Sequence, residues 1–473
     1  METPLLNGFS GEHQLKAFDG DYRPAKGWRE WRSVFWIETV KVWKIGGPIV
    51  LTNLCQIGVN TVTSMFVGHI GDIELSAVSI AMTVINVFSF GFLLGMGSAL
   101  ETLCGQAFGA GQVHMLGIYV QRSWIILLVT CLLLLPIYLF ATPVLKLLGQ
   151  EADIADVAGT FSIKIIPQMF SLAINFPIQK LLQAQSKVNV VMWIAVVALI
   201  AHVGLLWLFI IEFGWGLNGA AAAFDITSWA TVVAQVIYVV NWCNEGWTGF
   251  SWAAFNELWA FVRLSVSSAF MLCLELWYFM SIIILSGHFQ DAVIAVGSLS
   301  ICMNINGIEA MFFIGSLLVG IISVIVVMAA RKHIAIFFTN TEALQQAVAH
   351  LAYLLSLVLI LNSVQPVISG VAIGGGWQGL VAYINLACYY VLGLPLGYLL
   401  GYPANLGVEG LWGGMIVGTA LQTLILVFVL YRTNWNKEVE EITERMRKWG
   451  GQDIREEKRR EDKPIMISLH KSN

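Results

Sequence analysis

Charge is what this chain of 473 residues has least of: 12% of positions are Asp, Glu, Lys or Arg, against 57% apolar. Soluble globular domains carry about twice that charged share, so a soluble fold is excluded and the membrane class remains. Catalytic signatures are missing too. The seven cysteines (Cys55, Cys104, Cys131, Cys243, Cys273, Cys302, Cys388) are scattered with no CxxC pair, which reads as small packing residues and not as a disulfide framework or metal site. No HExxH, phosphate-cradling glycine loop or His/Cys cluster of metal spacing occurs, so an enzyme, a nucleotide hydrolase and a resident cofactor or metal are not expected. A nucleic-acid partner is not expected either. Residues 1–44 are polar and contain Asp19, Asp21, Glu30 and Glu38, so no secretory leader is read there and the first span directs insertion.

What the chain has is long apolar runs. A span needs about 20 mostly apolar residues, and runs of that size lie at about 45–67, 75–98, 117–140, 158–182, 188–211, 217–240 and 264–286, then an overlong one at 293–330, then 345–372, 379–401 and 408–431. Helices are expected and not barrel strands, because runs this long exceed a strand's need and lipid leaves backbone groups no outside partner. The fold class is therefore all-α: a polytopic membrane protein of two pseudo-symmetric helix bundles, six spans in lobe one and an incomplete six-span bundle in lobe two. The expected organisation is a tail at 1–44, lobe one at 45–241, a connection at 242–263, lobe two at 264–431 and a second tail at 432–473. Of 26 Lys and Arg, 7 precede residue 45 and 11 follow residue 431. Lys41, Lys44, Arg432 and Lys437 flank the outermost spans, so both tails are expected in the cytosol. Arg122, Lys180, Lys187 and Arg263 then also fall inside, while Lys146 falls outside.

The two lobes are repeats of one another. Gly68-His69 with Asp72 recurs as Gly287-His288 with Asp291, and Gln56 falls on Glu275, both at an offset of 219. Further on, Gln150-Glu151-Ala152 matches Thr341-Glu342-Ala343 and Gly216-Leu-Asn-Gly219 matches Gly407-Val-Glu-Gly410, now at 191. Lobe two is therefore 28 residues short, the unmatched stretch being Gly97 to Trp124 of lobe one and the junction lying between Gly315 and Ser316. Parallel internal repeats in a membrane chain point to a two-lobed transporter with its binding place between the lobes. The overlong run is a single helix of about 54 Å at 1.5 Å per residue, or it folds back near Gly315.

Acids at lipid depth are functional candidates by default. Glu275, mid-span with no Lys or Arg within a helical turn, is the strongest and suits a group that takes up and releases a proton; hydrogen bonding to a neighbouring helix is its structural alternative. Glu309, beside Asn304 and Asn306, could complete a polar pocket. Asp225 could cap a helix or line a cavity, and Gln56 is the lobe-one counterpart of Glu275. Glu101, Glu212 and Glu409 sit at span ends, where a solvated structural role is the simpler reading. His202 is mid-span and could titrate, though neutral packing is simpler. Pro48, Pro177 and Pro366 are hinge candidates, as are Pro136, Pro167 and Pro395. The tryptophans near span ends, including Trp36, Trp43, Trp242, Trp247, Trp252 and Trp435, read as an interfacial belt.

The segments Met65-Phe-Val-Gly-His-Ile-Gly71, Ser98-Ala-Leu-Glu-Thr-Leu-Cys-Gly-Gln-Ala-Phe-Gly109, Cys273-Leu-Glu-Leu-Trp277, Gln365-Pro-Val-Ile-Ser-Gly-Val-Ala372, Gly374-Gly-Gly-Trp-Gln378 and Asn434-Trp-Asn-Lys-Glu-Val439 resemble the multidrug and toxic compound extrusion family, plant detoxification type. The resemblance covers about residues 40–449. It implies twelve helices in two bundles and exchange of protons, or in some branches sodium, for organic solutes. It places proton coupling on the second-lobe carboxylate at Glu275. Flavonoid-like glycosides, xenobiotics or organic cations are the implied cargo, at the vacuolar or plasma membrane, and a monomer is expected. The family's segment between Gly315 and Ser316, about 30 residues, is absent, so a transport-incompetent truncated isoform is the alternative.

Overall fold

A computed structural model describes residues 27–448 apart from 149, 151, 257, 287–288, 290–293, 300, 304–316, 334–335 and 337–341. Among the described residues the secondary structure is helical throughout, and nine helices are long and apolar enough to cross a membrane, or ten with one bent pair. Lobe one is built from α1 (Trp28–Gly68), α2 (Ile73–Gly109), α3 (Met115–Leu139), the short α4 (Ala141–Leu147), α5 (Ala152–Lys164), α6 (Ile166–Ala184), α7 (Val188–Glu212) and α8 (Leu217–Trp242). Lobe two contains α9 (Leu258–Ser286), α10 (Ile294–Met303), α11 (Leu317–Ala330), α12 (Glu342–Gly374), α13 (Gln378–Gly401) and α14 (Gly407–Arg432), followed by the amphipathic α15 (Trp435–Lys448). The overlong run appears as α10 and α11. Residues 304–316 between them, and with them Asn304, Asn306, Glu309 and the Gly315/Ser316 junction, lie outside the described residues, as do Gly287, His288 and Asp291.

Each lobe has its own apolar core. One runs from Val67 to Phe224 and the other from Met271 to Leu426, and Val327 of α11 and Leu299 of α10 belong to the second. Around them the outer faces stay apolar: Leu133, Trp193, Ile200, Val391 and Leu424 are all exposed. Large apolar side chains turned outward along whole helices are what a lipid environment solvates. Trp36, Trp242, Trp252 and Trp435 are exposed near helix ends, as an interfacial belt requires.

The repeat is visible in the backbone. Gly214 and Asn405 both have φ near +60° (65° and 55°), and so do Gly216 and Gly407 (53° and 58°), each pair being 191 residues apart. The contact after this turn is repeated as well: Gly219 lies against Phe209 and Gly410 against Leu400, so close that an added methyl would sit 3.0 and 2.5 Å from their backbone atoms. Small residues at these crossings let helices approach where lipid supplies no hydrophobic drive.

Prolines and bends do not coincide simply. Pro48, Pro177 and Pro366 lie inside α1, α6 and α12, whereas the recorded bend of 48° separates α5 from α6 at Ile165, just ahead of Pro167. The lobe connection is shorter than the polar run of the sequence, since α8 continues to Trp242 and α9 starts at Leu258. It is also docked. Buried Arg122 donates to the Ala253 carbonyl (3.1 Å), and Gln121 both donates to the Gly249 carbonyl (2.9 Å) and accepts from the Ser251 N–H (2.8 Å).

Candidate functional site

The lobes meet along α2 and α9, and the sequence makes that contact close. Gly95 faces the Ala269 backbone, where an added methyl would lie 2.6 Å from Cα, and Gly91 faces Leu276 at 3.3 Å. One turn away Phe88 stacks on Trp277, with centroids 6.5 Å apart and planes 10° from parallel. Glu275 is therefore flanked by Leu276 and Trp277, the two residues through which its helix touches lobe one. Its carboxyl is partly buried, and no hydrogen bond or ion pair joins it to a described residue. Tyr389 lies within its electrostatic reach and stacks on Tyr278 at 4.5 Å, both rings being buried. Tyr390 fixes the same helix by donating to the Leu274 carbonyl (2.9 Å). Behind this wall Gln422 donates to Asn385 Oδ1 (3.2 Å) and Ser369 Oγ (3.4 Å), and Gln365 also donates to Ser369 (3.2 Å). This buried amide chain escapes sequence reasoning that looks for charge; the polar residues breaking α12, α13 and α14 were its available signal.

Lobe one encloses a different kind of site, a cavity of about 140 Å³ reached by α1, α2, α6, α7 and α8. Gln56 lines it together with Thr52, Asn60, Asn86, Gln168, Asn175, Gln179 and Gln235, and no charged residue does. Gln168, Asn175 and Gln235 are buried, and each keeps an amide oxygen without a protein partner. At about 30 Å³ per water the space holds four to five waters, or one ring-sized polar group. Asp225 sits beside this cavity and accepts the Gln168 N–H (3.0 Å). His202 is fully buried next to it, bonded through Nε2 to Thr63 (2.8 Å) and through Nδ1 to Thr227 (2.9 Å). The ring thereby ties α1, α7 and α8 together, which is the packing role.

A third polar contact closes one end of the lobe interface. Thr102 Oγ1 donates to the Ile373 carbonyl (2.9 Å), Gln106 Nε2 to the Gly374 carbonyl (2.7 Å), and Gln378 Nε2 to Thr102 Oγ1 (2.8 Å). These residues lie at the carboxyl ends of α2 and α12 and the start of α13. Because α14 leads directly to Trp435, which stacks on Trp377, this is the end at which the chain's carboxy-terminal tail leaves. Lys180 lies at the same end, paired with Glu101 at 2.6 Å. Away from this end, Glu409 pairs with His350 and Lys146 with Asp156 (2.7 Å), all surface contacts of little energetic weight. Among the described residues no group of three or more His, Cys, Asp or Glu is arranged to hold a metal.

Two helical lobes, polar groups inside each and a close inter-lobe contact define a polytopic membrane transporter. The MatE family model matches residues 48–208 and 310–399. Protein DETOXIFICATION 35 of Arabidopsis thaliana is 63% identical over 462 residues, covering 91% of this chain and 95% of that protein; Protein DETOXIFICATION 34 of the same plant is 58% identical over 463 residues, covering 91% and 85%. The crystal structure of the eukaryotic MATE transporter AtDTX14 superposes with a TM-score of 0.80 at 30% identity, covering 87% of this chain and 99% of that one. A MATE crystal structure in the bent conformation matches in fold alone (TM-score 0.70, 14% identity, covering 85% and 96%). The chain belongs to the multidrug and toxic compound extrusion family, of the plant type, and is a membrane efflux transporter and not an enzyme. The alignment with the first relative spans 462 positions but takes in 91% of 473 residues, about 430, so about 30 positions have no residue here. That shortfall equals in size the one between the repeats. Both lobe cores are nevertheless formed, and nothing in the fold or the relatives supports a transport-incompetent form.

Proposed function

We propose that this protein exports or sequesters organic solutes in exchange for protons, with Glu275 carrying the proton. The observation that supports this most is a carboxyl inside a spanning helix, without a cationic or hydrogen-bonding partner, between the two residues that touch the other lobe. Such a group can hold a proton with one site, whereas a sodium ion needs several oxygen ligands at once, so proton is favoured over sodium as coupling ion. Its charge state changes how much water the interface must admit, and that change acts on the α2–α9 contact at Leu276 and Trp277. Cargo is read as occupying the lobe interiors. Uncharged hydroxyl-bearing parts, as in flavonoid-like glycosides, match the neutral amides around Gln56, Asn175 and Gln235, while organic cations and other xenobiotics match the side nearer Glu275. The Thr102–Gln106–Gln378 contact then closes the tail end, read as cytosolic, with the opposite end free to open.

One chain supplies both lobes, so a monomer suffices, in the vacuolar or plasma membrane. The test is Glu275→Gln in proteoliposomes. Uptake of a fluorescent organic cation driven by a pH gradient should be lost, while equilibrium binding of the same cation persists. Uptake at the unmodified rate would sink the assignment.

A further inference from the structure

Three of the motifs named above, at 98–109, 374–378 and 434–439, carry neither cargo nor proton chemistry in this reading, yet the fold brings them together. Helix α12 ends in a Schellman-type turn: Gly376 has φ +85°, its N–H bonds the Ile373 carbonyl (2.8 Å), and the Trp377 N–H reaches back to the Ala372 carbonyl (3.1 Å). A helix end leaves its last carbonyls short of partners. Here the other lobe supplies them, through Thr102 on Ile373 and Gln106 on Gly374. The same turn is held from its other side by α15. The Trp377 and Trp435 rings stack with centroids 6.1 Å apart and planes 19° from parallel, and the Trp377 indole N–H donates to Glu438 Oε1 (3.0 Å). One five-residue turn thus receives lobe one on one side and the carboxy-terminal helix on the other.

We propose that α15 controls the tail-end gate: docked on Trp377, it holds the turn so that the Ile373 and Gly374 carbonyls meet Thr102 and Gln106, and undocking it lets the lobes part there. Coupling runs through a short stretch of rigid backbone, from Trp377 across the Gly376 turn to Gly374, and needs no longer pathway. The inference rests on the alternating-access reading but not on the coupling ion or on Glu275.

The test uses the full chain in lipid vesicles, with spin labels on Phe108→Cys and Tyr431→Cys, positions exposed near the tail end of either lobe. The seven native cysteines are all buried. Losing one aromatic pair and one hydrogen bond shifts an equilibrium about 3- to 10-fold, so Trp435→Ala should raise the population with separated tail ends by that factor. Glu438→Gln should raise it less, and Gln106→Leu should act in the same direction. Lys437→Ala, on the same helix but bonded only to Glu441 at the surface, should change nothing; it controls for general damage to α15. Unchanged distances in both Trp435→Ala and Glu438→Gln would overturn the proposal, as would an equal shift in Lys437→Ala. Adding Glu275→Gln separates this from the coupling assignment: the Trp435→Ala shift should survive in a protein that no longer couples to protons.

Discussion

Replacing Gly95 by alanine tests whether the α2–α9 contact is as close as its geometry demands. The added methyl would lie 2.6 Å from Ala269 Cα and 3.3 Å from its Cβ and N. Carbon atoms in contact sit about 3.5–4.0 Å apart, so the helices must separate by about 1 Å. The obstructing atom is backbone and cannot swing aside. Overpacking of this kind costs about 1–3 kcal/mol, but alanine also favours a helix over glycine by about 1 kcal/mol. Gly105, on the same helix with nothing within 4 Å of the added methyl, isolates that second effect. Gly97, whose methyl would meet Phe176 Cβ at an ordinary 3.5 Å, is a further control inside lobe one. Reversible denaturation of the three variants in bicelles should place Gly95→Ala about 1–3 kcal/mol below Gly105→Ala, with Gly97→Ala close to the latter. Equal stability of Gly95→Ala and Gly105→Ala would refute the close crossing and, with it, the route from Glu275 to the lobe interface.

His202→Leu should destabilise lobe one by about 1–3 kcal/mol, because two buried hydroxyls on different helices lose a partner at once; a neutral or stabilising result in the same denaturation assay would contradict the bridging role. Gln378→Leu removes the amide that bonds Thr102 while keeping side-chain volume, so hydrogen exchange at Gly374–Trp377 should quicken about 3- to 10-fold as the tail end loosens. Unchanged exchange there would show that Thr102 and Gln106 close the gate without it.

Much of the architecture is legible in the sequence because apolar runs of spanning length have few alternatives in lipid. The run at 188–211 becomes α7 at Val188–Glu212, and that at 408–431 becomes α14 at Gly407–Arg432. The offset of 191 is likewise physical, since left-handed backbone at Gly216 and Gly407 requires the same residue type in the same turn. Charge marks out Glu275 and Asp225 for the same reason: an ionisable group at depth is costly and therefore conspicuous. The amides are not conspicuous. Gln365, Asn385 and Gln422 find each other only once three helices pack, and nothing in their spacing announces it. Thr102 and Gln106 lie in a motif readable from sequence, but that Ile373 and Gly374 receive them is a fact of tertiary contact. The bend at Ile165 shows the limit of reading hinges from proline, since Pro177 sits within a helix that continues through it.

The central claim is that a proton moves on Glu275 when cargo moves. Proteoliposomes containing a pH-sensitive dye, with no imposed gradient, report this directly when an organic solute is added outside. The unmodified protein should move protons against cargo in a fixed ratio, and Glu275→Gln should move none. Cargo uptake by the unmodified protein without proton movement, or cargo-evoked proton flux of equal size in Glu275→Gln, would contradict the account.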